Sequence, residues 1–167
     1  KTAKVSVIGL GYVGLALAVE IGKLGFSVLG IDVDKEKVDK INNGRSYIPD
    51  VVEEQLSKLV SKNKLAATSD YKILKEVDIV SICVPTPLRK TREPDISCII
   101  AAVSEVSKYL HQSQLIILES TTFPGTTKDI ILPELEKNSL KVGRDFFLSF
   151  SPERVDPGNK KYTIKNT

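Results

Sequence analysis

The chain has 167 residues, 41% of them apolar and 27% charged, with a net charge of +3. That length buries a full core and implies one domain, with at most an unfinished second. Scattered basic residues give no clustered surface for nucleic acid, two distant cysteines give neither a disulfide scaffold nor a multi-cysteine zinc site, and no apolar run suits a membrane span or a signal peptide. The expectation is a soluble, cytoplasmic α/β domain with no metal site; the absence of any methionine reads as a chain trimmed or excised from a longer one.

Residues 4–9 (KVSVIG) are a β-branched apolar run that stops at glycine, the pattern of a buried strand. Residues 12–24 (YVGLALAVEIGKL) are too densely apolar for alternation and precede Gly25 at a helix-stop position. Residues 27–32 form a second buried strand. Residues 34–43 open on a capping Asp34, place Val38 and Ile41 three apart and stop at Gly44. Asp50 can cap a further helix over 51–62, and residues 65–68 look like a short strand. Residues 78–84 (DIVSICV) are an apolar strand ending at Pro85-Thr86-Pro87. The polar stretch 88–95 is a loop, and 96–110 is a helix with Ile99, Ala102, Val103, Val106 and Leu110 on its apolar face. Residues 114–119 (QLIILE) are a strand that ends in Ser120-Thr121-Thr122. Residues 128–136 are helical, kinked or divided at Pro133. Residues 146–150 (FFLSF) are the last strand and run into Ser151-Pro152-Glu153-Arg154. Alternating strands and helices predict right-handed βαβ units and one parallel sheet covered on both faces.

Gly9-Leu10-Gly11-Tyr12-Val13-Gly14 fits G-x-G-x-x-G, follows a strand and opens a helix, and Asp32 stands at the end of the next strand. Gly9 permits the tight turn, Gly11 lets the backbone approach a pyrophosphate, and Gly14 lets helix and strand pack closely. The helix then aims its first N–H groups at the phosphates. Asp32 can accept hydrogen bonds from the adenosine ribose, and its charge would repel a 2′-phosphate, so NAD is favoured over NADP. Lys37 tempers that preference. The fold class is therefore α/β: a Rossmann-type, doubly wound, mainly parallel sheet of about six strands. The competing reading is a glycine-rich structural turn with a solvated strand-end acid.

In a parallel sheet every carboxyl end faces one edge, where ligands bind. That brings together residues 9–14, 84–87, 119–122 and 149–153. The edge then offers glycine amides, the hydroxyls of Thr86, Ser120, Thr121 and Thr122, and the carboxylates of Glu119 and Glu153. No histidine or cysteine is expected on it. Ser120-Thr121-Thr122 can equally cap the following helix, and Pro85 and Pro87 can simply stiffen their loop. Cys83 reads as core packing and Cys98 as structural. His111 reads as a solvated helix-end residue. The basic loop at Arg89-Lys90-Thr91-Arg92 is either solvated or turned to a phosphate.

The glycine motif, Asp32, Val84-Pro85-Thr86-Pro87, Glu119-Ser120-Thr121 and Ser151-Pro152-Glu153-Arg154 occur in the order found in the UDP-glucose/GDP-mannose dehydrogenase family, which the chain resembles over essentially its whole length. Residues 151–159 (SPERVDPGN) are similar to the branch that acts on N-acetylated sugars. The resemblance implies an enzyme that oxidises the C6 alcohol of a UDP-N-acetylhexosamine through an aldehyde to a carboxylate. That reaction consumes two NAD⁺ and proceeds through a cysteine thioester that water hydrolyses. It implies that Gly9, Gly11, Tyr12, Val13 and Gly14 hold the pyrophosphate. Asp32 and Lys37 meet the adenosine end, while Val84, Thr86, Pro87, Ser120, Thr121 and Thr122 line the nicotinamide side. Thr121 also positions the catalytic water. Glu153 serves as general base or as partner to that water, and Glu153, Arg154 and Val155 contact the sugar substrate.

Two departures from the family pattern stand out. Pro157 replaces a second glutamate that touches the cofactor in UDP-glucose enzymes. The family nucleophile lies in a Gly-rich Cys-Leu-Pro-Lys segment that this sequence does not contain, and neither Cys83 nor Cys98 resembles it. The resemblance thus implies an NAD-binding domain over residues 1–151. Residues 152–167 would begin the connection to a central dimer-forming helix and a C-terminal UDP-sugar-binding domain. On this reading the chain alone binds NAD without turning over sugar, and the full-length protein is a homodimer. Three alternatives share the opening motif: a dehydrogenase for UDP-glucose or another sugar, a hydroxyacid or polyol-phosphate dehydrogenase, and a regulatory module that senses nucleotides.

Overall fold

Six short apolar runs become six strands: β1 (Lys4–Ile8), β2 (Ser27–Ile31), β3 (Leu65–Thr68), β4 (Ile79–Ile82), β5 (Leu115–Leu118) and β6 (Phe147–Phe150). The computed structural model describes residues 2–90 and 94–152. Every strand pair is parallel, in the order β3-β2-β1-β4-β5-β6. The chain winds outward from β1 to β3, returns to lay β4 on the other side of β1, and winds outward again. This is the doubly wound α/β sheet that the alternation of elements predicts, with its switch point between β1 and β4.

The helices are α1 (Tyr12–Lys23), α2 (Lys35–Asn42), α3 (Glu53–Ser61), α4 (Ser97–Tyr109) and the single turn α5 (Leu132–Leu135). Strand alternation divides the core between the two faces of the sheet. Val7 and Val28 pack with Leu15, Ala18 and Val19 of α1 and Leu56 and Leu59 of α3. Ile8, Ile31, Val80, Ile82, Ile116 and Leu118 pack on the opposite face with Ile99, Val103 and Val106 of α4, Leu135 and Phe146. Because both faces are covered, the strands read as continuous apolar runs rather than alternating ones.

Asp34 caps α2 as expected, its carboxylate accepting the Glu36 amide at 2.9 Å. Elsewhere capping differs from expectation. Val52 rather than Asp50 occupies the N-cap of α3, with no side-chain cap; Glu53 and Glu54 place negative charge in its first turn instead. The helical stretch after β5 begins at Thr126, behind Gly125 at φ +95°, and no side chain caps it, so Ser120-Thr121-Thr122 do not serve there. Residues Thr126–Ile131 are wound in wide π-type turns and Pro133 sits in the first turn of α5, where a missing N–H is tolerated. Pro133 therefore divides the segment. His111 is also tied down: its ring nitrogens lie 3.0 Å from the carbonyls of Gln112 and Val77.

A 3₁₀ element before β4 lies outside the sequence expectations. Residues Tyr71–Glu76 form a 3₁₀ helix whose N-cap, Asp70, accepts the Lys72 amide at 2.9 Å. It delivers Tyr71 to the carboxyl edge of the sheet.

Candidate functional site

The carboxyl end of β1 is pinned on both sides: Gly9 N–H donates to the Ile31 carbonyl and Cys83 N–H to the Ile8 carbonyl, each at 2.8 Å. Gly9 turns the chain at φ +89°, and a Cβ there would stand 2.8 Å from the Cys83 carbonyl oxygen. At Gly14 a Cβ would fall 1.9 Å from the Gly9 oxygen, so α1 docks directly on the turn. Gly11 is different. A Cβ there would meet nothing within 4 Å, because the position faces an open cleft.

That cleft, about 680 Å³, is within the usual size of cofactor sites. Asp32, Val33, Asp34 and Lys37 form its β2 end. Gly9, Gly11, Tyr12 and Val13 form its middle. Val84, Pro85, Thr86, Glu119, Ser120 and Thr121 form its β4–β5 end. Three segments expected on one rim thus meet around one cavity, and Gly11 and Thr121 share it. Gly14, Pro87 and Thr122 do not line it. Gly14 packs beneath the turn, as its spacing predicts. The fourth segment reaches the same edge through Ser151, whose N–H donates to the Leu118 carbonyl at 2.9 Å. Glu153, Arg154 and Val155 lie outside the described residues, as do Thr91, Arg92 and Pro157.

Asp32 is 7% exposed. One carboxylate oxygen accepts the Leu10 amide at 2.9 Å and the other accepts the Asp34 amide at 2.9 Å. Lys37 Nζ stands 3.5 Å from it. A carboxylate has about four acceptor positions, so two backbone amides leave capacity for the hydroxyls of a ribose. Tyr47 braces the same turn, donating its hydroxyl to the Leu10 carbonyl at 2.6 Å. Burial, reinforced by the charges of Asp32 and Asp34, raises the Tyr47 pKa and keeps that donor protonated.

At the other end, the Ile82 carbonyl accepts the amides of Glu119 at 2.9 Å and Ser120 at 3.2 Å. The Ser120 hydroxyl, 5% exposed, donates to the Val84 carbonyl at 2.7 Å. Its proton therefore holds the 84–86 loop in place, and its oxygen keeps acceptor capacity. The exposed Thr121 hydroxyl borders the cleft. Arg89 pairs with Asp95 at 3.1 Å rather than lining the cleft.

Tyr71, Cys98, Ala101 and Ala102 wall the cleft and are absent from the motif-based expectations. Cys98, Ala101 and Ala102 follow i, i+3, i+4 spacing on α4, so small side chains on one helical face were the available signal. Both cysteines belong to the lining, contrary to the expectation of a cysteine-free edge. β4 ends at Ile82, which leaves Cys83 at the carboxyl rim, and the first turn of α4 opens onto the same edge. The Cys83 thiol lies 3.5 Å from Glu119 Oε2 and 3.4 Å from the Ser81 hydroxyl.

A glycine turn open at Gly11, a buried acid closing the next strand and a cleft at the switch point define an NAD-binding Rossmann domain. The chain belongs to the UDP-glucose/GDP-mannose dehydrogenase family, whose NAD binding domain model matches residues 3–167. It is 35% identical over 167 residues to a UDP-N-acetyl-D-glucosamine 6-dehydrogenase of Pseudomonas aeruginosa, covering 99% of this chain and 39% of the relative. It is also 35% identical to a UDP-N-acetyl-D-mannosamine dehydrogenase of Pyrococcus horikoshii, covering 93% of this chain and 37% of the relative. The crystal structure of an NDP-N-acetyl-D-galactosaminuronic acid dehydrogenase from Methanosarcina mazei Go1 superposes with a TM-score of 0.87 at 34% identity, covering 93% of this chain and 35% of that one. The chain thus spans under two fifths of the length of these relatives. Among the described residues, no helix is long and apolar enough to cross a membrane.

Proposed function

We propose that this chain supplies the cofactor half of a dehydrogenase that oxidises the C6 alcohol of a UDP-N-acetylhexosamine to a carboxylate in two NAD-dependent steps. The carrying observation is the shared cleft: the Gly11 turn and Asp32 face one half of it, and Thr86, Ser120 and Thr121 face the other. The sugar class is supported by the 151–159 segment (SPERVDPGN) and by relatives named for N-acetylated nucleotide sugars. When bound, NAD⁺ supplies the acceptor for the hydride that leaves C6.

Each residue has a separate task. Asp32 orients the adenosine ribose and rejects a 2′-phosphate by charge. Tyr71, Cys98, Ala101 and Ala102 give the adenine a flat, largely apolar slot. The α1 N-terminus and Gly11 amides hold the diphosphate. Ser120 fixes the loop that carries Thr86, and Thr121 holds a water or sugar hydroxyl at the reacting end. Glu153 draws a proton from that water during thioester hydrolysis, and Arg154 and Val155 touch the sugar. Residues 1–151 form the NAD domain and 152–167 lead toward a central helix and a UDP-sugar domain. The intact enzyme works as a cytoplasmic dimer. The 167 residues alone bind NAD without oxidising sugar, because they lack the Cys-Leu-Pro-Lys segment that carries the family nucleophile.

Calorimetric titration tests this. NAD should bind, and Asp32→Ala should weaken it strongly, while NADH formation from any UDP-sugar stays absent. Equal response to NAD, ADP and ATP would favour a nucleotide sensor.

A further inference from the structure

We propose that Gln114 positions Tyr71 for the adenine of a bound cofactor by fastening the far end of the 3₁₀ helix that carries it. This rests on the cofactor reading above and deepens it. Tyr71 walls the cleft together with Asp32. The two are linked through β3: the Asp32 amide donates to the Thr68 carbonyl at 3.2 Å, and Tyr71 comes three residues after Thr68. Burial, and then the charges of Glu105 and Asp32, raise the Tyr71 pKa, so its ring stays neutral. An adenosine whose ribose meets Asp32 brings its base to this ring.

The near end of the helix is fixed through Asp70. Its amide donates to the Thr68 hydroxyl at 3.1 Å, and its carboxylate accepts the Lys72 amide at 2.9 Å. The far end is fixed through Gln114, which is fully buried immediately before β5. Its side-chain nitrogen donates to the Leu74 carbonyl at 3.0 Å and to the Val77 carbonyl at 2.9 Å. The His111 ring stands 3.0 Å from the same Val77 carbonyl. Gln114 is itself tied to the sheet, its backbone carbonyl accepting the Phe147 amide at 2.9 Å. The site uses only the two N–H donors of the carboxamide, whose oxygen has no hydrogen-bond partner among the described residues.

A 3₁₀ run of six residues is long for this winding, whose hydrogen bonds are poorly aligned, so it needs support from outside. Residues three apart eclipse in such a helix, and Tyr71 and Leu74 therefore share one face. Leu74 is fully buried, and Tyr71 packs against the core cluster that contains it. Release of the Leu74 and Val77 carbonyls would let that face turn, and the ring at its other end would shift within the cleft. Gln114 does not line the cleft. It acts on the cofactor through Tyr71, as a positioning residue.

The test is a double-mutant cycle on NAD⁺ affinity, measured by calorimetry on the 167-residue chain. Gln114→Met keeps the bulk and removes both donors, and should weaken NAD⁺ about fivefold. Tyr71→Ala should weaken it about tenfold or more, through loss of stacking on the base. In the Tyr71→Ala background, Gln114→Met should add less than about twofold, because the ring it positions is gone. A merely structural glutamine would act alike in both backgrounds. An unchanged affinity in Gln114→Met, or a second loss of about fivefold in the Tyr71→Ala background, overturns the proposal. Equal affinity in Tyr71→Ala and the unmodified chain overturns it as well and leaves the cofactor reading standing. If Gln114→Met fails to fold, hydrogen exchange decides. Saturating NAD⁺ should slow exchange of the Val77 amide in the unmodified chain at least about fivefold, since coupling runs both ways, and an unchanged rate overturns the proposal. Failure of the unmodified chain to bind NAD⁺ overturns the cofactor reading first and this inference with it.

Discussion

The buried carboxylate of Asp32 accepts the amide of Leu10, a residue 22 positions earlier, at 2.9 Å. The acid proposed to select the ribose also shapes the glycine turn proposed to receive the diphosphate. Its removal therefore acts twice. Asp32→Ala should weaken NAD about 10- to 100-fold, the loss of charge-assisted hydrogen bonds to two hydroxyls. It should also lower stability by about 1–3 kcal/mol, because the Leu10 and Asp34 amides lose their acceptor. Asp32→Asn keeps the shape without the charge, so its NAD-to-NADP preference should narrow. Parallel titrations with both cofactors and a thermal melt check each part; an unaltered cofactor preference in Asp32→Asn would remove charge as the basis of selection.

Two glycines of one motif should fail in different ways. At Gly14 a Cβ would lie 1.9 Å from a backbone oxygen, so Gly14→Ala forces α1 off the turn and should cost about 3 kcal/mol or more. At Gly11 the added methyl meets open space. Gly11→Ala should fold with near-normal stability and lose NAD affinity at least about tenfold, since the methyl occupies the approach of the diphosphate. A melt and a titration on each variant separate the two roles. Similar thermal losses in both would contradict this division.

The strands and the glycine turn were legible because each rests on local chemistry: β-branched runs, and a spacing that serves one purpose. Asp32 was legible for the same reason. Tyr71 was not, because a 3₁₀ turn of six residues carries little periodicity and only Asp70 marks its start. Cys83 was misplaced because β4 stops at Ile82, two residues before its apolar run ends at Val84. Cys83 continues the run in sequence yet already belongs to the rim. Ser120 was expected to serve ligand or helix cap, and its strongest bond instead crosses to the Val84 carbonyl. A contact 36 residues distant depends on strand register, which no local pattern encodes.

Ser120 therefore links the loops that follow β4 and β5 at the wall of the cleft. Ser120→Ala leaves the half-buried Val84 carbonyl without this donor and should cost about 1 kcal/mol of stability. NAD affinity should fall several-fold through displacement of the 84–86 loop rather than loss of a direct contact. Ser120→Thr, which keeps the hydroxyl, should recover part of both. Crystallographic comparison of the loop in the alanine variant is the decisive measurement, and an unmoved loop would rule out the positioning role.

The segment leading into α4 should report pH at the edge of the cleft. Asp95 is held below its ordinary pKa of 3.8, first by the Ser97 amide and then by the Arg89 side chain. A carboxyl group with a depressed folded-state pKa stabilises the fold above its unfolded value, and that contribution disappears as pH falls through the lower folded value. The start of α4 should therefore be intact at pH 5 to 7, roughly, and loosen only in strong acid. Cys98 and Ala101 should shift with it, since they stand in the first two turns of the helix. NMR titration of the Asp95 carboxyl and the Ser97 amide should give one shared midpoint below 3.8. Arg89→Ala should raise that midpoint only in part, because the larger cause, the backbone amide, remains. A complete return to the ordinary value in Arg89→Ala would show that the ion pair, and not the helix-start amide, holds the proton off.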